Sequence, residues 1–245
     1  MTKFDSLHTT SAQSLVRRIL RMCTPRVYLA VLLAIPLLGQ TALNQRELDI
    51  VLKTQYDGIP WSECEHLGVE SIPYLIKALK GPMRFAGNSV VCLGVLGDPK
   101  AIKPLEEFLE TGYGVLSVPQ YLSRTSVLWA LGAIVNRSGD ESGLEYLIKG
   151  LDQSVWNQRV RWSTPYNDTA DDRNLQLARA SMQGLGLAAS PKALRAIQDY
   201  KCEKAPCPLD DVRGDALQTC HAINEIAKKH SHKGSPLRAY YQQNP

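Results

Sequence analysis

An all-α chain built as a stack of paired helices is what this sequence predicts, on three observations. Short apolar segments recur with helical spacing, Leu-Gly pairs recur in the segments between them, and breakers rich in glycine, aspartate or proline separate the two kinds. Recurrence at intervals of tens of residues marks stacked units that share a core rather than one closed bundle.

The first observation rests on four segments. Residues 70–79 read ESIPYLIKAL, 100–109 KAIKPLEEFL, 142–151 SGLEYLIKGL, and Lys192 opens KALRAIQDYK. Aligning Ile72, Ile102, Leu144 and Leu194 also aligns Leu75, Leu105, Leu147 and Ile197. Apolar residues at i, i+3 and often i+4 or i+7 form the stripe of an amphipathic helix. The aligned starts are 30, 42 and 50 residues apart, so insertions interrupt the array.

The second observation concerns the preceding helices, VVCLGVL at 90–96, LWALGAI at 128–134 and MQGLGL at 182–187. Each carries a Leu-Gly pair: Leu93-Gly94, Leu131-Gly132 and Leu185-Gly186. Glycine inside a helix costs about 1 kcal/mol relative to alanine. Its recurrence predicts close approach of neighbouring backbones, and the small Cys92, Ala130 and Gly184 just before point the same way. The third observation is clearest at Leu96-Gly97-Asp98-Pro99-Lys100-Ala101. Gly97 suits a left-handed helix end, Asp98 a cap and Pro99 a first turn. Gly139-Asp140 and Ser190-Pro191 vary the theme. Such short turns make the joined helices antiparallel neighbours.

This unit resembles the HEAT-like repeat, and LGDPKAIKPL is similar to that family's inter-helix turn, over about residues 58–200. The resemblance implies a right-handed α-solenoid of four to five antiparallel helix pairs, with a weaker last pair at Asp210–Lys229 and a short capping helix at Pro236–Tyr241. An irregular helical bundle is the alternative. The resemblance also implies that second helices line a concave face. Lys77, Glu107, Lys149 and Asp199 occupy equivalent sites there, so their alternating signs predict a ladder of ion pairs between neighbours. Some HEAT-like enzymes bind iron through repeated His-Glu pairs; here Glu65-His66 is single and reversed, and that function does not carry over.

Charge places the body of the chain. The formal net charge is +4. Residues 1–42 hold Lys3, Arg17, Arg18, Arg21 and Arg26 against Asp5, five minus one, so the remainder is neutral. A neutral body offers no field for gathering nucleic acid. Residues 27–43 carry no charge for 17 positions. Arginines before an apolar run match a secretory leader, with the body across the membrane. Residues 1–43 are therefore expected to be a signal peptide or a hydrophobic anchor helix, with a packed helix as the alternative. A repeat domain fills 44–245.

No glycine-rich phosphate loop, His-Glu-x-x-His pair or Gly-x-Ser-x-Gly elbow occurs, so neither catalysis nor a cofactor is expected. Among the cysteines, Cys92 reads as a small buried apolar residue. Cys202 and Cys207 bracket a loop within 201–209, and Cys220 follows. An exported chain favours a disulfide there, with Cys202–Cys207 preferred to Cys207–Cys220; free thiols and a zinc site completed by His221 or His230 remain open.

The insertion at 152–172 gathers Trp156, Arg159, Arg161, Trp162 and Tyr166. Tryptophan, tyrosine and arginine dominate binding hot spots. These five form the candidate partner site, against two other readings: that both tryptophans fold back over the repeat core, or that the loop binds nucleic acid. The functional expectation is a non-catalytic protein-binding scaffold of the cell envelope, touching the membrane through its first segment if that is retained. An accessory, lyase-type subunit holding a small ligand or chromophore is the first alternative, and a DNA-binding HEAT-like protein the second.

Overall fold

The computed structural model describes residues 46–54, 58–166, 168–202, 207–229 and 235–244. The predicted leader at 1–43 lies outside them. Residues 48–245 form one compact unit, and 1–47 are assigned to another. Among the described residues no helix is long and apolar enough to cross a membrane.

Twelve helices account for most of the described chain. They are α1 (46–53), α2 (Trp61–Leu67), α3 (Ile72–Leu79), α4 (Met83–Leu96), α5 (Ile102–Glu110), α6 (Val118–Ser138), α7 (Glu141–Lys149), α8 (Val155–Arg159), α9 (Ala170–Ala188), α10 (Pro191–Asp199), α11 (Asp210–Lys229) and α12 (Pro236–Gln243). Two two-residue strands, β1 (Gly114–Val115) and β2 (Trp162–Ser163), pair in parallel. The all-α expectation holds, with that miniature sheet as an addition.

Helix α2 packs on α4, and from there the longer helices pack in chain order, α4 on α6, α6 on α9 and α9 on α11. The shorter helices nest against them: α3 on α4, α5 on α6, α7 on both α6 and α9, α10 on both α9 and α11. The apolar stripe faces inward throughout, and Leu75, Leu105, Leu147 and Ile197 are all fully buried.

The Leu-Gly pairs explain how the long helices come together. A Cβ on Gly94 would lie 2.9 Å from Ala130 Cα, one on Gly132 2.9 Å from Gly184 Cα, and one on Gly186 2.9 Å from Ala216 Cα. Each glycine thus faces a small residue on the next long helix. No side chain fits between the two backbones, which is why Ala130 and Gly184 recur two positions before the next glycine. Gly132→Ala is expected to lower the unfolding free energy by about 1–3 kcal/mol through overpacking. Gly214, within α11, is the opposite case: a Cβ there would have nothing within 4 Å. Gly214→Ala should raise stability by about 0.5–1 kcal/mol through helix propensity alone. Urea unfolding of both variants checks the opposite signs.

The turns form as their residues predict. Gly97 and Gly139 end α4 and α6 with φ of 69° and 71°. Asp98 accepts from Lys100 N, Asp140 from Ser142 N and Gly143 N, and Ser190 from Ala193 N. At the third junction Ala189 takes the left-handed conformation without a glycine.

Three features depart from expectation. The cysteine bond joins Cys64 on α2 to Cys92 on α4, while Cys202, Cys207 and Cys220 are thiols. Cys92 is therefore a cross-link at the position where later repeats use Ala130 and Gly184. Helix α12 does more than cap the array. Besides packing on α11, its Tyr241 hydroxyl accepts from Trp129 Nε1 on α6 at 2.7 Å, and Arg238 pairs with Glu65 on α2. Finally, helix ends are closed by side chains from elsewhere. Arg137 donates to Val95 O, and Arg213 donates to Ile197 O and Gln198 O, meeting carbonyls that the last helical turn leaves unpaired.

Candidate docking site

The insertion is best understood from the ends of α5 and α7. A helix's last carbonyls lack intrahelical donors, and indole N–H groups fill that role here. Trp162 Nε1 donates to Leu109 O in the last turn of α5, and Trp156 Nε1 to Gly150 O beyond α7, both at 2.8 Å. Both rings are 0% exposed. The two tryptophans are thus removed from the candidate partner surface; they fold back and complete the repeat core.

Arg159 works from the same segment. Its guanidinium lies 4.0 Å over the Tyr146 ring of α7, and its Nε sits 3.9 Å from Glu110 of α5. Tyr146 donates to that same carboxylate at 3.0 Å. Burial, and then the charge of Glu110, push the Tyr146 hydroxyl well above its ordinary range. Burial likewise raises the Glu106 carboxyl, against the pull of Lys103.

The predicted ladder does not form, although α3 packs on α5 and α7 on α10. Among the described residues no ion pair joins any two of Lys77, Glu107, Lys149 and Asp199. Lys149 instead lies 3.9 Å from Glu145 within its own helix. The rung between neighbouring short helices starts from another position: Lys192 of α10 lies 3.9 Å from both Glu141 and Glu145 of α7. Such exposed pairs contribute about 0–1 kcal/mol at most.

Glu107, Glu110, Thr111, Gly112, Tyr113, Arg159 and Arg161 line an open cleft of about 280 Å³. Behind its Gly112 wall lies a buried arginine that does not itself line the cleft. Arg124 of α6 is 6% exposed, donates from Nη1 to Phe108 O and lies 4.8 Å over the Phe108 ring. A Cβ on Gly112 would meet Arg124 Nη2 at 3.2 Å. Gly112 also holds φ of 126°, so bare backbone covers the guanidinium. Desolvation lowers the Arg124 pKa from its ordinary value.

Beside the cleft lies an apolar ledge. Tyr113, Val115, Val118, Leu122 and Tyr166 make up five of the eight large apolar side chains exposed among the described residues. Val115 sits in β1, opposite Ser163 of β2. Val118 and Leu122 are one turn apart on α6, and Tyr166 meets Tyr121 edge-on at 5.7 Å. Among the described residues β1 pairs only with β2, leaving its other edge free. Of the five residues predicted to bind a partner, Arg161 and Tyr166 are exposed here, Arg159 is half-buried, and the tryptophans lie beneath. Tyr113, Val115, Val118 and Leu122 were missed, because in sequence they read as ordinary loop and helix-start residues.

No family model, no curated protein and no solved structure matches this chain. Among the described residues no three His, Cys, Asp or Glu side chains converge as a metal site.

Proposed function

We propose that the helical body is a non-catalytic protein-binding module, a right-handed HEAT-like solenoid held outside the cytoplasm, and that it docks an extended segment of another protein on the β1 ledge. The observation that carries this reading is the concentration of exposed apolar side chains around a free strand edge. An apolar patch beside unpaired backbone suits addition of a strand, in which main-chain hydrogen bonds give affinity and neighbouring side chains give specificity. Glycine-to-backbone contacts between successive long helices support the repeat architecture. The Cys64–Cys92 bond supports an oxidising compartment.

Val115→Asp tests the reading, with Val69→Asp as control. Val69 is also exposed, at 58%, but lies outside the ledge. In affinity capture from envelope fractions, a partner retained by wild type and by Val69→Asp should be lost by Val115→Asp, while both variants keep the wild-type melting temperature. A partner held equally by all three proteins would remove the ledge as the docking surface.

A further inference from the structure

We propose that the hollow bounded by α2, α6, α9 and α11 is a second docking site, independent of the β1 ledge, which takes an amphipathic helix of a partner protein and which α12 fills as a built-in competitor. A helix that merely capped the array would touch α11 alone. Helix α12 has eight residues, about 12 Å of axial length, yet it contacts α2, α6 and α11 together. Leu237 is buried in one apolar cluster with Ala133 of α6, Leu187 of α9, and Cys220 and Ile223 of α11. The Tyr241 ring lies 5.9 Å from that of Trp61 on α2 and 6.3 Å from that of Trp129 on α6, whose Nε1 donates to its hydroxyl. Tyr240 shares a hydrogen bond of 3.2 Å with Thr219 of α11. Arg238 pairs with Glu65 of α2 and donates to Ser62 Oγ at 3.4 Å.

These contacts have the form of a helix held in a groove. The anchors Leu237, Tyr240 and Tyr241 stand at i, i+3 and i+4, the spacing by which a helix lays one face into an apolar channel. Arg238, at i+1, meets a carboxylate on the rim. Tyrosine, tryptophan and arginine are also the side chains that concentrate binding energy at interfaces. Two features make α12 the replaceable part. The buried residues beneath it form a cluster separate from the main core, with the half-buried Trp61 and Trp129 at the border of the two, so α12 leaves without breaching that core. Eight residues are also too few for a helix that is stable by itself, so α12 keeps its form only through the hollow. Without α12 the hollow presents the Trp61 and Trp129 rings, Leu187 and Ile223 beside the Glu65 carboxylate. That lining selects an apolar, aromatic-bearing helix face flanked by lysine or arginine.

The test uses the full chain and a fluorescent helical peptide with the sequence of residues 235–245, stapled on the side away from its anchors. Leu237→Asp and, separately, Arg238→Glu release α12 in the full chain. A site filled by its own helix binds a free one in proportion to the fraction of time it stands open, so each variant should bind the peptide about tenfold or more tightly than wild type. The main melting transition and the helical spectrum should stay in place. Cys220 is fully buried in the cluster, and its alkylation in the native protein should quicken in Leu237→Asp and slow again when peptide is added. A peptide carrying Arg238→Glu should lose its hold on the released protein and regain it when Glu65→Arg is added to the chain. Equal peptide binding by wild type and both variants overturns α12 as a competitor. No binding by either variant overturns the docking site, and a charge swap that restores nothing overturns the basic preference. If both variants lower the main transition, α12 belongs to the core and the inference fails.

Discussion

Trp162→Ala is expected to lower the unfolding free energy by about 3–5 kcal/mol, the usual cost of emptying a large aromatic site in a core. The ring is fully buried, and it packs edge-on against Tyr121 with centroids 6.3 Å apart. Its removal also leaves Leu109 O, to which it donates, without that partner. Trp162→Phe separates the two contributions. It restores much of the apolar contact and loses the hydrogen bond, so it should cost less than the alanine variant by most of the cavity contribution. Chemical denaturation monitored by circular dichroism measures both. A Trp162→Ala protein that unfolds at the wild-type midpoint would contradict the core assignment and return this residue to the partner surface.

The second large effect belongs to the cross-link. Cys64 and Cys92 are 28 positions apart, and their bond constrains the unfolded chain. Closing a loop of that size stabilises by about 2–4 kcal/mol. The double variant Cys64→Ala, Cys92→Ala should lose stability of that order while keeping its helical spectrum, since both side chains are buried and small. Peptide mapping after alkylation in denaturant provides an independent check. Without reductant, the peptides holding Cys202, Cys207 and Cys220 should label; those holding Cys64 and Cys92 should label only after reduction. Labelling of Cys64 without reductant would refute the pairing.

How far the sequence reached is clearest at individual positions. The inward stripe through Leu75, Leu105, Leu147 and Ile197 was legible because helical periodicity is local: one face of each segment is apolar, and that face must be buried. The caps at Asp98, Asp140 and Ser190 were legible for the same reason, since a cap and the amides it satisfies lie within three residues. The Leu-Gly pairs reached further. A repeated glycine in a helix is unfavourable unless another backbone occupies the space of its missing side chain, so recurrence alone predicted contact, though not which residue would be met.

The candidate site was less legible. Trp156 and Trp162 were singled out for composition, and composition cannot tell an indole that binds a partner from one that closes a helix end. The distinction depends on whether an unpaired carbonyl waits nearby, and Leu109 O lies 53 positions from Trp162. The Lys77, Glu107, Lys149 and Asp199 ladder failed on the same ground. Equivalent positions in aligned segments need not meet even where the helices pack directly: between α7 and α10 the pairing runs from Lys192 to Glu141 and Glu145 instead.

What the amino-acid order determined by itself, then, is the repeated helix pairs, their turns and the faces they bury, all governed by interactions a few residues long; α1, α2 and the short α8 inside the insertion were not read from it. The tertiary structure alone decided which cysteines bond, that α12 reaches back to Trp129 and Glu65, and that Tyr113, Val115 and Leu122 stand exposed near a cleft lined by Arg159 and Arg161. Each of those outcomes joins residues brought together only by packing, at separations over which sequence pattern carries no distance.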